Sequence, residues 1–184
     1  EAVLHDNTVD AIVLATPHHM HVEQIISAAS AGKPVFSEKP LALTVAEARR
    51  AVAACDKAGV ILGLGTDRRM LPAMRRLRAV VQGGEIGRLL HVEGQYSNDN
   101  MRAGRSGSWR SDPSINPAGG MTGPGLHVLD AMLSLVGPAK QVTGQMARGG
   151  EPMVDAVSAL LSFACGVTGI LGSVRGTPDY FRLA

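Results

Sequence analysis

An acid and a base stand side by side at Glu38-Lys39, directly before Pro40, in the stretch Gly-Lys-Pro-Val-Phe-Ser-Glu-Lys-Pro that runs from Gly32. A lysine on such a turn can hydrogen-bond a substrate hydroxyl or carbonyl, and partial desolvation moves an amine toward useful acid–base values. Glu38 can hold the lysine in place or meet a cofactor amide. Pro40 fixes the backbone and keeps a helix from continuing through it. A surface ion pair in a turn needs the same two residues, so residue type and spacing alone leave both readings open. Thr16-Pro17 closes an earlier apolar run, with His18, His19 and His21 crowded behind it. No Cys or carboxylate lies at a ligand spacing from these histidines, so a helix start is expected there and no metal.

The elements that carry these residues alternate. "DAIVLA" (10–15) and "PVFSE" (34–38) read as short buried strands, and "VILGLG" (60–65) as a third. Between them, Val22, Ile25, Ile26 and Ala29 repeat at helical spacing before Gly32. Thr44-x-x-Glu47 is a capping box opening a helix that stops at Gly59. Strand and helix in this rhythm imply a parallel sheet with right-handed crossovers. Thr16-Pro17 and Glu38-Lys39-Pro40 then both fall on the carboxyl edge of that sheet, where ligands bind in open α/β folds. The residues before the first run are expected to lead into a strand.

After Gly65 the pattern changes. "MLPAMRRLRAVVQGG" and "GLHVLDAMLSLVGP" read as helices, "RLLHVEGQYS" as a strand, and residues 98–118 as a long polar loop holding Trp109. "KQVTGQMA", "AVSALLSFA" and "VTGILGSVR" are three strand-like runs, the last two joined at Cys165-Gly166. The fold class expected from this pattern is α/β: a parallel sheet with helices on its faces over residues 1–66, then an α+β domain with a largely antiparallel sheet over 67–184.

Composition narrows the function classes. Aromatics make up 3% of the 184 residues and the formal charge is +2, which offers neither a stacking platform nor a polyanion-binding surface, so no nucleic acid is expected. Arg68, Arg69, Arg75, Arg76 and Arg78 are expected on a solvated helix face. Two distant cysteines, Cys55 and Cys165, form no disulfide framework and fit a cytoplasmic setting. No apolar run reaches the ~18 residues of a membrane span. Met70, Met74 and Met132 are expected to fill core gaps; His5 and His91 are expected to be structural or exposed. Asp99 and Asp112 are weaker substrate-contact candidates in the polar loop.

The order and spacing of Thr16-Pro-x-x-x-His21, Ala31-Gly-Lys-x-Val-x-x-Glu-Lys-Pro40 and Gly125-x-His127-x-x-Asp130 resemble the Gfo/Idh/MocA oxidoreductases, and the similarity continues through "GGEIGRLLHVEG" and "SWR". The resemblance makes residues 1–66 the second half of a Rossmann-type parallel sheet, and it implies hydride transfer with NAD or NADP as cofactor, acting on a carbohydrate-like, polyol or diol small molecule. It makes Lys39 and His127 the catalytic pair and sets Glu38 and Pro40 near the nicotinamide. Thr16, Pro17 and His21 would line the dinucleotide cleft, and Trp109-Arg110 would approach the cofactor. Asp130, one turn beyond His127 on the same helix face, would orient the helix. The family also implies a homo-oligomer through the second-domain sheet.

Two departures from the family pattern stand out. No Gly-x-Gly-x-x-Gly turn follows a strand, so the chain is expected to be N-terminally partial, lacking about two βαβ-type units of ~30 residues each, and incomplete at its C-terminus. The residue that distinguishes NAD from NADP would lie in that missing segment. Many polyol-oxidising members carry an Asp four residues before the histidine, where this sequence has Gly123. Two alternatives share the fold. One is a non-catalytic nucleotide- or sugar-binding regulator; the other is an NAD-dependent glycoside hydrolase that oxidises its substrate transiently.

Overall fold

Short strands with helical crossovers build the first part of the chain. The computed structural model describes residues 2–97, 109–149 and 154–177. Strands β1 (Ile12–Leu14), β2 (Val35–Ser37) and β3 (Leu62–Leu64) pair in parallel, in that order. Helix α1 (His21–Ser30) links the first two strands and α2 (Val45–Ala58) the last two. Leu14 and Val35 on the sheet meet Val22, Ile25, Ala28 and Ala29 of α1 and Ala51 and Cys55 of α2 in one buried cluster. Burial of that apolar stripe, rather than helix propensity, is the main stabilisation of such short helices.

Local signals set the helix ends. Thr44 Oγ1 accepts from Glu47 N and Glu47 Oε2 accepts from Thr44 N, each at 3.2 Å, so the capping box is formed. Gly59 ends α2 in the left-handed region at φ 67°, which a side chain would disfavour. The residues before β1 form a 3₁₀ turn at Ala2–His5 rather than the start of a strand.

From Thr66 the chain forms a second compact unit, residues 66–184, the first being residues 1–65. It contains α3 (Pro72–Gln82), β4 (His91–Gln95), α4 (Pro124–Val136), β5 (Ala139–Ala147), β6 (Ala156–Phe163) and β7 (Thr168–Val174). The sheet order is β4-β7-β6-β5, with β5, β6 and β7 antiparallel and β4 parallel to β7. Met132 of α4 packs with Leu161, Phe163, Val167 and Leu171 of the sheet. A Cβ at Gly94 would strike Val128 and Met132, so glycine there lets α4 lie close on β4. Met132 fills the core as expected, whereas Met70 is 68% exposed because it ends a surface 3₁₀ turn.

Candidate active site

The parallel ladder continues one residue past each strand: Glu38 N donates to Leu14 O and Gly65 N to Ser37 O, both at 2.8 Å. This extension fixes where the turns at the carboxyl edge begin. A Cβ on Gly65 would come within 3.3 Å of the Glu38 carboxyl group, so glycine leaves room for that side chain at the end of β3. Glu38 is exposed and Lys39 half-buried, and Glu38 Oε2 accepts from the Lys39 backbone N–H at 3.3 Å. The Lys39–Pro40 peptide is cis.

His21 organises this edge from beneath. Its side chain is fully buried at the start of α1, with Nδ1 2.8 Å from Pro40 O and Nε2 2.9 Å from Thr16 O. One imidazole therefore ties the turn after β1 to the turn after β2. Both ring nitrogens are spent on the protein's own backbone, so His21 acts as a tie between the turns and not as a polar lining. Thr16 Oγ1 adds a 2.5 Å hydrogen bond to Gln24 Oε1, holding the first turn to α1. Pro17 is half-buried between them.

In the second unit, His127 sits on the first turn of α4 with its side chain 16% exposed and its Nδ1 3.0 Å from Asp67 Oδ1. One helical turn on, Asp130 receives both Arg69 Nε, at 2.7 Å from Oδ2, and Arg69 Nη2. These hydrogen bonds from Arg69 to Asp130 hold the guanidinium above its ordinary range. Arg69 is thus bonded to α4 and does not stand on a solvated helix face; it and Arg68 lie in a 3₁₀ turn, while Arg75, Arg76 and Arg78 are exposed on α3.

The Arg110 guanidinium lies 4.3 Å from the centre of the Trp109 ring. Asn116, buried to 1% exposure, donates from Nδ2 to Arg110 O at 2.9 Å and fixes the backbone there. Asp112 Oδ1 accepts from Ser114 N at 2.8 Å and Ser114 Oγ at 2.6 Å, a local turn. Asp99 lies outside the described residues. Asp67 and Asn116 escaped sequence reasoning: neither belongs to a periodic pattern, and only the position of Asp67 just past β3 hinted at a role.

The side chains at the carboxyl edge fit the nicotinamide end of a dinucleotide. They present an exposed carboxylate able to accept from an amide, and a half-buried lysine, on turns at the ends of parallel strands. Among the described residues no three His, Cys, Asp or Glu side chains converge as a metal site, and no helix is long and apolar enough to cross a membrane.

Comparison with known proteins gives this geometry its context. Residues 1–66 match the profile of an oxidoreductase family with an NAD-binding Rossmann fold, and residues 74–183 match the GFO/IDH/MocA C-terminal domain. Levoglucosan dehydrogenase of Pseudarthrobacter phenanthrenivorans is 29% identical, over 96% of this chain and 51% of its own length. Trans-1,2-dihydrobenzene-1,2-diol dehydrogenase of Mus musculus is 30% identical, over 92% of this chain and 50% of its own. A structure of levoglucosan dehydrogenase in complex with NADH and levoglucosan superposes with a TM-score of 0.89 at 29% identity, covering 96% of this chain and 50% of that one. The chain thus spans about half the length of the curated relatives it matches. With one profile covering the sheet that carries Lys39 and another the unit that carries His127, the chain belongs to the Gfo/Idh/MocA family of oxidoreductases.

Proposed function

We propose that this chain serves an NAD(P)-dependent oxidoreductase that moves a hydride between nicotinamide and a carbinol or oxo carbon of a sugar-like, polyol or cyclic-diol substrate. The observation that carries the reading is Lys39, half-buried on a turn at the carboxyl edge of a family-matched NAD-binding sheet and tied down by buried His21. The sugar and diol dehydrogenases among the relatives support the substrate class. Glu38 and Pro40 lie at the nicotinamide, Thr16 and Pro17 line the dinucleotide cleft, and Trp109 and Arg110 are assigned to the cofactor by the same resemblance. Bound NAD(P)+ supplies the hydride acceptor.

Lys39 Nζ hydrogen-bonds the substrate oxygen. In the oxidative direction the carbinol C–H bond is lost as hydride and the O–H proton passes to the Lys39 amine, leaving a carbonyl. In reduction the ammonium returns that proton to the developing alkoxide. His127 assists at the same oxygen or a neighbouring hydroxyl. Preorganised donors at the alkoxide supply much of the rate in such sites.

The test is a panel of hexoses, anhydrosugars, polyols and cyclic diols, each offered with NAD+ and NADP+ while NAD(P)H absorbance is followed. Reduction of the cofactor with at least one member is expected. Cleavage of a glycosidic bond with no net cofactor reduction would replace this reading with the NAD-dependent hydrolase. Ligand binding without any turnover would replace it with the regulator.

A further inference from the structure

We infer that His21 joins the two turns at the carboxyl edge of the parallel sheet as an imidazolium, with a proton on each ring nitrogen, and that only this charged form positions Lys39. The positioning of Lys39 rests on the reading of that lysine as the residue that handles the substrate proton; the charge of the ring does not.

Donor count decides the charge. Nδ1 stands 2.8 Å from Pro40 O and Nε2 2.9 Å from Thr16 O, both within hydrogen-bond distance. A backbone carbonyl oxygen only accepts, whereas a neutral imidazole carries one N–H and one bare lone pair. In either neutral tautomer one carbonyl therefore faces a lone pair, and the doubly protonated ring alone donates to both. A charge inside the protein is costly unless it is hydrogen-bonded, and here each N–H has its own carbonyl. His21 is the first residue of α1, where the helix dipole disfavours a cation. That effect is smaller than the cost of setting a carbonyl against a lone pair around a ring of 0% exposure.

The titratable groups on the surrounding elements leave the two carbonyls as the partners of the ring. In the 3₁₀ turn His18–Met20, the His18 ring meets His21 edge-on at 6.0 Å between centroids, and His19 is exposed. On α1, Glu23 is exposed and pairs with Arg50 of α2 at 2.9 Å. Glu47, at the start of α2, is engaged in the capping box. On the turn after β2, Glu38 is exposed and accepts from the Lys39 backbone N–H, and the Lys39 side chain is half-buried.

The charged ring thus ties Pro40, the residue after Lys39, to Thr16, the residue that ends the first turn. When pH rises and the ring gives up one proton, its remaining N–H serves one carbonyl and the turns are no longer joined. Lys39 then loses its fixed relation to Thr16 and Pro17, and small misplacements of a reacting group cost rate steeply. In the oxidative direction the rate first rises with pH as Lys39 becomes an amine. It then falls where His21 loses its second proton.

The experiment follows the His21 ring nitrogens by NMR in the full, histidine-labelled chain across a pH series, with hydride transfer measured over the same series. Two ring N–H signals are expected at every pH where hydride transfer is fast, and the alkaline fall in rate is expected where one of them is lost. His21→Gln, whose carboxamide donates without ever being charged, should lower hydride transfer roughly 10- to 100-fold and remove the alkaline fall. A His21 ring with one bare nitrogen in a chain that turns over overturns the inference, and that result needs no variant. An imidazolium that loses its proton with no change in rate overturns the positioning of Lys39. Should His21→Gln fail to fold, the wild-type ring signals and pH series decide both points. Should the wild type oxidise no substrate while the ring shows two N–H signals, the functional reading falls and the charge assignment stands.

Discussion

Around Lys39 the fixing contacts lie beneath the surface: two backbone carbonyls meet one fully buried imidazole, and two amides extend the ladder past the strands. Around His127 they are charged and partly exposed, with Asp67 61% exposed and Arg69 37%. The first arrangement joins residues 5 and 19 apart, while the Arg69–Asp130 fork joins residues 61 apart. Buried contacts are largely shielded from salt, whereas exposed ion pairs weaken as salt screens them. The two halves of the proposed chemistry should therefore respond differently to the same perturbation.

His21→Ala removes the tie under Lys39 and takes away the ring nitrogens that face the Thr16 and Pro40 carbonyls. A buried carbonyl left without its donor costs about 1–3 kcal/mol, and a loss of that size is expected in urea unfolding of the first unit. That loss should be the same at low and high salt. A loss below about 1 kcal/mol would mean that water replaces the imidazole, and the contrast with His127 would disappear.

Arg69→Met leaves Asp130, 13% exposed, without its fork. A fully buried pair broken this way costs about 3–5 kcal/mol, but partial exposure of Arg69 reduces the expectation to about 1–2 kcal/mol. Here the difference from wild type should shrink in high salt. Because the folded guanidinium is raised above its ordinary range by the Asp130 hydrogen bonds, its contribution is complete at every pH below that range and is lost only as pH rises through the folded value. The Arg69 term should thus be flat across the neutral range. A salt-independent loss would place the fork with the buried contacts around His21.

Thr44→Ala removes the capping box of α2 and is expected to cost about 1 kcal/mol, read as a small fall in melting temperature. It touches neither arrangement, and it serves as the baseline for a local change in the first unit.

How much of this was legible in the sequence follows the same divide. The β-α-β-α-β order, the helix stops at Gly32 and Gly59 and the capping box are local signals, and they appear in the structure where spacing placed them. The position of Lys39 after β2 follows from that order alone. The role of His21 was not legible, because a histidine at a helix start gives no sign of which carbonyls will surround it. Arg69 was hidden among neighbouring arginines, and its partner Asp130 could be found only by folding the second unit. Met70 shows the converse, an apolar residue left on a turn where no core reaches it. Contacts that close over dozens of residues leave no periodic trace.

The most direct check is single-turnover hydride transfer by Lys39→Met beside the wild type, with NAD(P)+ affinity measured on the same samples. Methionine keeps the apolar stem and removes the ammonium. If Lys39 handles the substrate proton, hydride transfer falls about 10²- to 10⁴-fold while cofactor affinity is unchanged. Hydride transfer at the wild-type rate would contradict the assignment of Lys39, and with it the functional reading of the turn at Glu38-Lys39-Pro40.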